Sequence, residues 1–314
     1  MKRGACILLV TLLVGCSPRA KEGIASACAA EGALAYLCGL EGPEDIVQVG
    51  DTEWLLASSV PGPGRPVGAG RLYLVDSRAR SVEILFPGPA PDIRPDTGLF
   101  PDCPGPLDLR AFALHGLSLR KRSSGVYRLY ATSHGAREAV EAFELDARGP
   151  KPTVAWTGCV VLPADVVSNG VAALADGGFF VTQFFDPADP AALQSMFSGT
   201  VTGRVYEWHP GWREARPVSG TELAGPNGIE VSPDGRRLFV AAFGAHAVLR
   251  FDGFVGPPMI ADLGVLPDNL RWSRDGRLTT VGDLLGAPQD CGAPNRRGRR
   301  HGGVAVRFHG VASG

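Results

Sequence analysis

The segment NGIEVSPDGRRLFVAAF, residues 227 to 243, is one of five versions of a single pattern in this chain. A polar residue opens a short apolar strand, a turn carrying Gly follows, and a second apolar strand returns. The other versions are EDIVQVGDTEWLLASSV from Glu44, LHGLSLRKRSSGVYRLYATSH from Leu114, NGVAALADGGFFVTQFF from Asn169 and DNLRWSRDGRLTTVGDLL from Asp268. Each is followed by a further alternating segment: GRLYLVDSRARSVEILF, EAVEAFELD, GRVYEWHP, AHAVLRFDG or GGVAVRFHG. Alternation with period two predicts strands. Self-similarity at a spacing of roughly 40 to 60 residues predicts one small sheet repeated as a blade. Only PADPAALQSMF, residues 187 to 197, reads as a short helix, and 42 Gly and 26 Pro suit the many turns this requires. The pattern predicts an all-β chain, a β-propeller with five repeats visible and the last blade incomplete.

In a propeller the first strand of each blade lines the central channel. The polar residues opening these strands are Glu44, His115, Asn169, Asn227 and the pair Asp268 and Asn269. An Asn at a strand start is ordinarily a turn residue. Equivalent positions in five blades, however, bring these side chains to one end of one channel. Buried polar groups without partners cost about 1 to 3 kcal/mol each, so such a gathering calls for a compensating charge. Two carboxylates and three amide oxygens, from Glu44, Asp268, Asn169, Asn227 and Asn269, form an all-oxygen set suited to Ca²⁺. Zinc would favour His or Cys.

The N-terminus MKRGACILLVTLLVGCSPRA has a basic start and an apolar run too short to span a bilayer. Its Leu-Val-Gly-Cys ending resembles a bacterial lipobox. That implies a signal peptide over residues 1–15, a lipidated Cys16, a small-residue linker over 16–37 and the propeller over 38–314. An ordinary secretory signal is the alternative, and both readings export the protein. The lipobox reading places it in the cell envelope, tied to a membrane through Cys16. Export permits disulfides. Cys28, Cys38, Cys103, Cys159 and Cys291 then remain, an odd number, and Cys103 with Cys159 is the preferred pair because both flank one blade. A net charge of -1 gives no reason to expect nucleic acid as a partner, and NRRGRRHGG reads as a solvated loop. No G-x-S-x-G elbow, strand-borne GxGxxG or CxxC pair is present.

The strings GPEDIVQV, LHGLSL, NGVAAL, PNGIEVSPDGRRLFVA with AHAVLRF, and PDNLRW, in this order, resemble the calcium-dependent paraoxonase/arylesterase family. That family lies within the wider set of gluconolactonase-type and strictosidine-synthase-like propellers. The resemblance implies six blades and a calcium-dependent hydrolase of lactones or aryl esters. It implies that Glu44, Asn169, Asn227, Asp268 and Asn269 hold the catalytic calcium and that His115 and His134 form a pair that activates water. It also implies a second, structural calcium on Asp45 and the Leu117 carbonyl. Gly170 stands where that site expects a carboxylate, which leaves Asp165 or water to compensate. The closing disulfide lacks its C-terminal cysteine, which leaves Cys38 without that partner. Phe184, Phe185, Met196, Phe197 and Phe100 are candidates for an apolar mouth or for blade packing. A sugar lactonase of the gluconolactonase type and a non-catalytic ligand-binding propeller remain open as alternatives.

Overall fold

The computed structural model describes residues 36–61, 70–254, 256–283 and 302–306. The signal segment, Cys16 and the linker up to residue 35 lie outside them, as do Cys28 and Cys291. Among the described residues no helix is long and apolar enough to cross a membrane.

Five sheets follow one another along the chain, and each repeat read from the sequence supplies one. The first is a meander of β1 (Pro43–Gln48), β2 (Trp54–Ser59), β3 (Arg71–Asp76) and β4 (Ser81–Phe86). The second holds β5 (Asp92–Ile93), β6 (Phe112–Ser123), β7 (Val126–Gly135), β8 (Ala139–Asp146) and β9 (Thr153–Val161). Here β5 adds a short parallel edge against β9, which the repeat pattern did not suggest. The third holds β10 (Val167–Ala173), β11 (Phe179–Phe185), β12 (Val205–Trp208) and β13 (Arg216–Pro217). Between β11 and β12 lies the short helix α1 (Ala192–Met196), inside the segment expected to be helical. The fourth holds β14 (Pro226–Val231), β15 (Arg237–Ala242), β16 (Ala247–Asp252) and β17 (Met259–Asp262), and the fifth β18 (Leu266–Trp272), β19 (Leu278–Asp283) and β20 (Gly302–Ala305).

The first strands are innermost and succeed one another around an axis. Strand β1 touches β6, β6 touches β10, β10 touches β14 and β14 touches β18. From β18 the chain reaches back to β1, where Asn269 Nδ2 donates to the Glu44 carbonyl at 3.3 Å and Arg271 Nε to the Ile46 carbonyl at 3.2 Å. The protein is thus an all-β propeller. Five blades are found among the described residues, the fifth with three strands; a sixth, implied by the resemblance, is not among them.

Apolar layers between neighbouring blades hold the ring together. Leu56, Leu72 and Leu74 of the first blade pack with Phe112, Leu114, Leu129 and Phe143 of the second. Tyr130 and Val140 meet Phe179, Val181 and Trp208 of the third, and Phe239 of the fourth meets Leu270 and Leu278 of the fifth. A blade between two others is covered on both faces, and β8 is accordingly buried along nearly its whole length, Glu141 included. Strand β4 is more open. Each fully buried Leu or Phe stabilises by about 1.5 to 3 kcal/mol. Phe100 belongs to this packing: it is buried and stacks on Trp208 with ring centres 5.6 Å apart, so it is no part of a channel mouth.

Cys103 and Cys159 form a disulfide across 56 residues, as the sequence favoured. Cys38 is itself disulfide-bonded, contrary to the expectation from the missing C-terminal cysteine.

Candidate functional site

Pairing breaks register in the course of each innermost strand, and in every one of them a break falls at the same place. The shift falls between Pro43 and Ile46 in β1, Leu114 and Leu117 in β6, Ser168 and Val171 in β10, Pro226 and Ile229 in β14, and Pro267 and Leu270 in β18. In each case two residues oppose one on the neighbouring strand, the arrangement of a β-bulge, which re-aims a side chain. The bulged pairs are Glu44 with Asp45, His115 with Gly116, Asn169 with Gly170, Asn227 with Gly228, and Asp268 with Asn269. The sequence marked these pairs as strand openings; the structure makes each of them a bulge.

The glycines are what allow neighbouring bulges to touch. A Cβ on Gly116 would run into the Asn169 carbonyl, and one on Gly228 into the Asp268 carbonyl. A Cβ on Gly170 would lie 2.7 Å from the Asn227 carbonyl oxygen. Hydroxyls opposite the bulges then tie one blade to the next. Thr132 Oγ1 accepts from Gly116 N at 2.8 Å and donates to the Asn169 carbonyl at 2.6 Å. Thr182 Oγ1 repeats this with Gly170 N at 2.8 Å and the Asn227 carbonyl at 2.7 Å. Ser58 Oγ holds the first bulge within its own blade, accepting from Asp45 N at 3.0 Å. These hydroxyls went unnoticed in the sequence, although each lies on the second strand of its repeat.

Among the described residues, four buried side-chain polar atoms have no hydrogen-bond partner, and three belong to this site: Glu44 Oε2, Asn169 Oδ1 and Asn227 Oδ1. Orphaned oxygens are rare in folded proteins, and three at equivalent bulges of the innermost strands β1, β10 and β14 fit a cation shared between them. The set fits a hard ion held by carboxylate and amide oxygens. No cluster of three His, Cys, Asp or Glu able to hold a metal occurs among the described residues, so the amides are essential to any such site. The Asn269 amide nitrogen is committed to the Glu44 backbone. Asp268 is close enough to His115 to favour its charged form.

Beside these oxygens runs a chain of ring nitrogens and carboxylates. His115 Nε2 lies 2.9 Å from Glu44 Oε1, and its Nδ1 lies 2.8 Å from His134 Nε2. His134 Nδ1 lies 2.9 Å from Glu138 Oε2. The other Glu138 oxygen accepts from Ser168 N at 2.7 Å and Ser168 Oγ at 2.6 Å. Three hydrogen bonds through two imidazoles and ending on two carboxylates require three ring protons, so the pair carries one positive charge. Burial pushes the His115 imidazole down, but Glu44, with Asp268 and Asp45 behind it, outweighs burial and holds it above its ordinary value. Burial pushes Glu44 up, and His115, then Arg271 and the Asn269 amide, hold it below the usual carboxylate range. The structure brings His115 and His134 together as expected and adds Glu138, which lies in the β7–β8 turn, where no repeat position flagged it.

The second calcium assigned to Asp45 and Leu117 does not fit. Arg271, on β18, donates through NH2 to Asp45 Oδ2 and, at 2.9 Å, to the Leu117 carbonyl. A guanidinium thus takes both oxygens offered to the ion. Gly170 has no room for the missing carboxylate, and Asp165 is exposed and cannot replace it.

Phe184 and Phe185, at the end of β11, lie at the same end of the blades as the bulges. Ring centres of Phe184 and Phe243 are 6.0 Å apart, and those of Phe197 and Phe243 5.8 Å. Phe197 is 43% exposed, whereas Met196 is buried beneath. This half-open aromatic rim borders the candidate site on the third and fourth blades.

No protein-family model and no curated protein matches the chain. Among solved structures it is similar to a gluconolactonase from Xanthomonas campestris, at 19% identity over 77% of this chain and 69% of that one, TM-score 0.44. It is similar also to the calcium-binding protein regucalcin from Agrobacterium tumefaciens, at 13% identity over 87% and 94%, TM-score 0.41. A luciferin-regenerating enzyme matches at 12% identity over 77% and 68%, TM-score 0.45. Likenesses this distant carry no argument about chemistry.

Proposed function

We propose that this protein is a calcium-dependent hydrolase of lactones or aryl esters. The observation that carries the reading is the set of three buried, unpartnered oxygens of Glu44, Asn169 and Asn227 beside the hydrogen-bonded pair His115 and His134. Those side chains, with Asp268, would hold calcium. Bound there, calcium supplies polarisation of the ester carbonyl and compensation for charge developing on its oxygen.

The chain's own residues supply the rest. Once its Nε2 proton has passed to solvent, His115 takes a proton from the attacking water at that nitrogen, and general-base help of this kind is worth about 10² to 10⁴-fold. His134 shares the charge across the 2.8 Å bond. Glu138 fixes His134 with Nδ1 protonated, as the carboxylate of a catalytic triad fixes its histidine. Phe184, Phe197 and Phe243 would favour an aromatic or aliphatic acyl group over a sugar. The lipobox-like N-terminus suits an enzyme anchored in the cell envelope, where apolar esters partition.

The test is hydrolysis of phenyl acetate, an aliphatic lactone and gluconolactone before and after dialysis against a chelator. Activity on the first two that vanishes with the metal and returns with calcium supports the reading. Activity indifferent to chelation, or confined to gluconolactone, would overturn it.

A further inference from the structure

The bulge layer is followed, one step further along four of the same strands, by a second convergence on the axis. Five oxygens there surround one guanidinium. Arg271 donates to Asp45 Oδ2, to the carbonyl of Leu117 at 2.9 Å, to that of Ile46 at 3.2 Å and to that of Leu270 at 2.7 Å. Its NH1 also lies 3.5 Å from Glu230 Oε1. The acceptors come from β1, β6, β14 and β18, four blades of the ring. Beside Arg271 lies a cavity of about 580 Å³, lined by Leu119, Arg120, Glu230, Trp272 and Arg274 among others and by none of the bulge residues.

Two carboxylates and three carbonyls gathered around one positive group are oxygen donors of the kind a hard divalent cation takes. We infer that Arg271 is a built-in cation at this point, standing where the ring would otherwise need a structural metal ion. Its charge is covalently attached, cannot be chelated, and reaches with a planar fork across the axis as an ammonium could not. The inner strands of four blades are therefore cross-linked through one side chain whatever the divalent ion concentration. The inference does not depend on what the bulge layer binds.

The test compares calcium uptake and thermal stability of the full chain. In the double variant Asn169→Ala, Asn227→Ala, the bulge layer is disabled and Arg271 is untouched; calorimetric titration should find no bound calcium. One ion still bound, and lost on adding Asp45→Asn, would overturn the inference. Arg271→Ala frees the five oxygens. It should take up one calcium per chain more than the unaltered protein, whatever that protein binds. Its midpoint should rise by roughly 5 °C in about 5 mM calcium, above the weak end of protein calcium affinities, as mass action requires. The same calcium count as the unaltered protein, or a midpoint unmoved by calcium, would overturn the inference. Should Arg271→Ala fail to fold, the double variant decides alone. Because Arg271→Ala is scored as a difference from the unaltered protein, absence of calcium at the bulge layer would count against the proposed hydrolase and not against this inference.

Discussion

Two successive layers of the channel are built from nearly the same atoms and end in opposite states. In the bulge layer, Glu44 Oε2, Asn169 Oδ1 and Asn227 Oδ1 are buried without partners. In the next layer, Asp45, Glu230 and three carbonyls are all turned on Arg271. Oxygens gathered on an axis repel unless a positive charge sits among them. The chain provides that charge covalently in one layer and leaves it to an exchangeable partner in the other. A permanent cation makes a rivet; only an exchangeable one leaves room for a substrate oxygen.

The comparison breaks most visibly if the bulge layer works without a metal. Chelation should lower ester hydrolysis by about 10³-fold or more, since the polarising charge is worth several kcal/mol. The same treatment should leave the fold in place, because the second layer keeps its own cation; circular dichroism before and after would check this. Activity that survives chelation would mean that the orphaned oxygens serve some other end. Next in size, His115→Gln should cost about 10² to 10⁴-fold in kcat with calcium affinity retained. An unchanged kcat would hand water activation to Glu44.

A third prediction sharpens the contrast through pH. Burial pushes the Glu230 carboxyl up to about 7, against the pull of Arg271. Its pKa in the folded chain thus lies above the unfolded value, so its protonation favours the fold. That contribution is complete below about pH 4.5 and is lost as pH rises through about 7, on the order of 1 to 3 kcal/mol. Glu230→Gln should flatten the fall in thermal midpoint between pH 5 and pH 8. A midpoint curve of unaltered shape would show that Arg271 holds Glu230 ionised throughout.

Sequence periodicity made the blades legible because alternation and turn residues recur with each one. It also located Glu44, His115, Asn169, Asn227 and Asp268, since a polar residue at one repeat position stands out against apolar strands. It did not reveal the bulges, because a two-against-one pairing depends on the partner strand's register. Nor did it reveal the rivet. Glu230 and Arg271 occupy the same place in their repeats, three residues past Asn227 and Asp268, and aligning the repeats would have shown opposite charges there. The resemblance drew attention to Asp45 and Leu117 as metal ligands, and the cation that meets them was two residues beyond Asn269 in the string PDNLRW.

Glu138 offers the finest division between the layers, because it joins the histidine pair to the bulge of β10. One oxygen faces His134 Nδ1, and the other takes two donors from Ser168, the residue before Asn169. In Glu138→Gln the amide must turn its NH2 toward one of these donor groups. If it faces His134, the Nδ1 proton is displaced and the chain loses one of its three ring protons; if it faces Ser168, the strand start is disturbed instead. Ser168→Ala separates the two, since it removes a hydroxyl and leaves the histidine contact. A positioning role predicts about a tenfold loss of kcat in Glu138→Gln with KM and calcium affinity unchanged, and near-normal kcat in Ser168→Ala. Equal losses in both variants, with weakened calcium binding, would place Glu138 with the scaffold of the bulge rather than with the proton path.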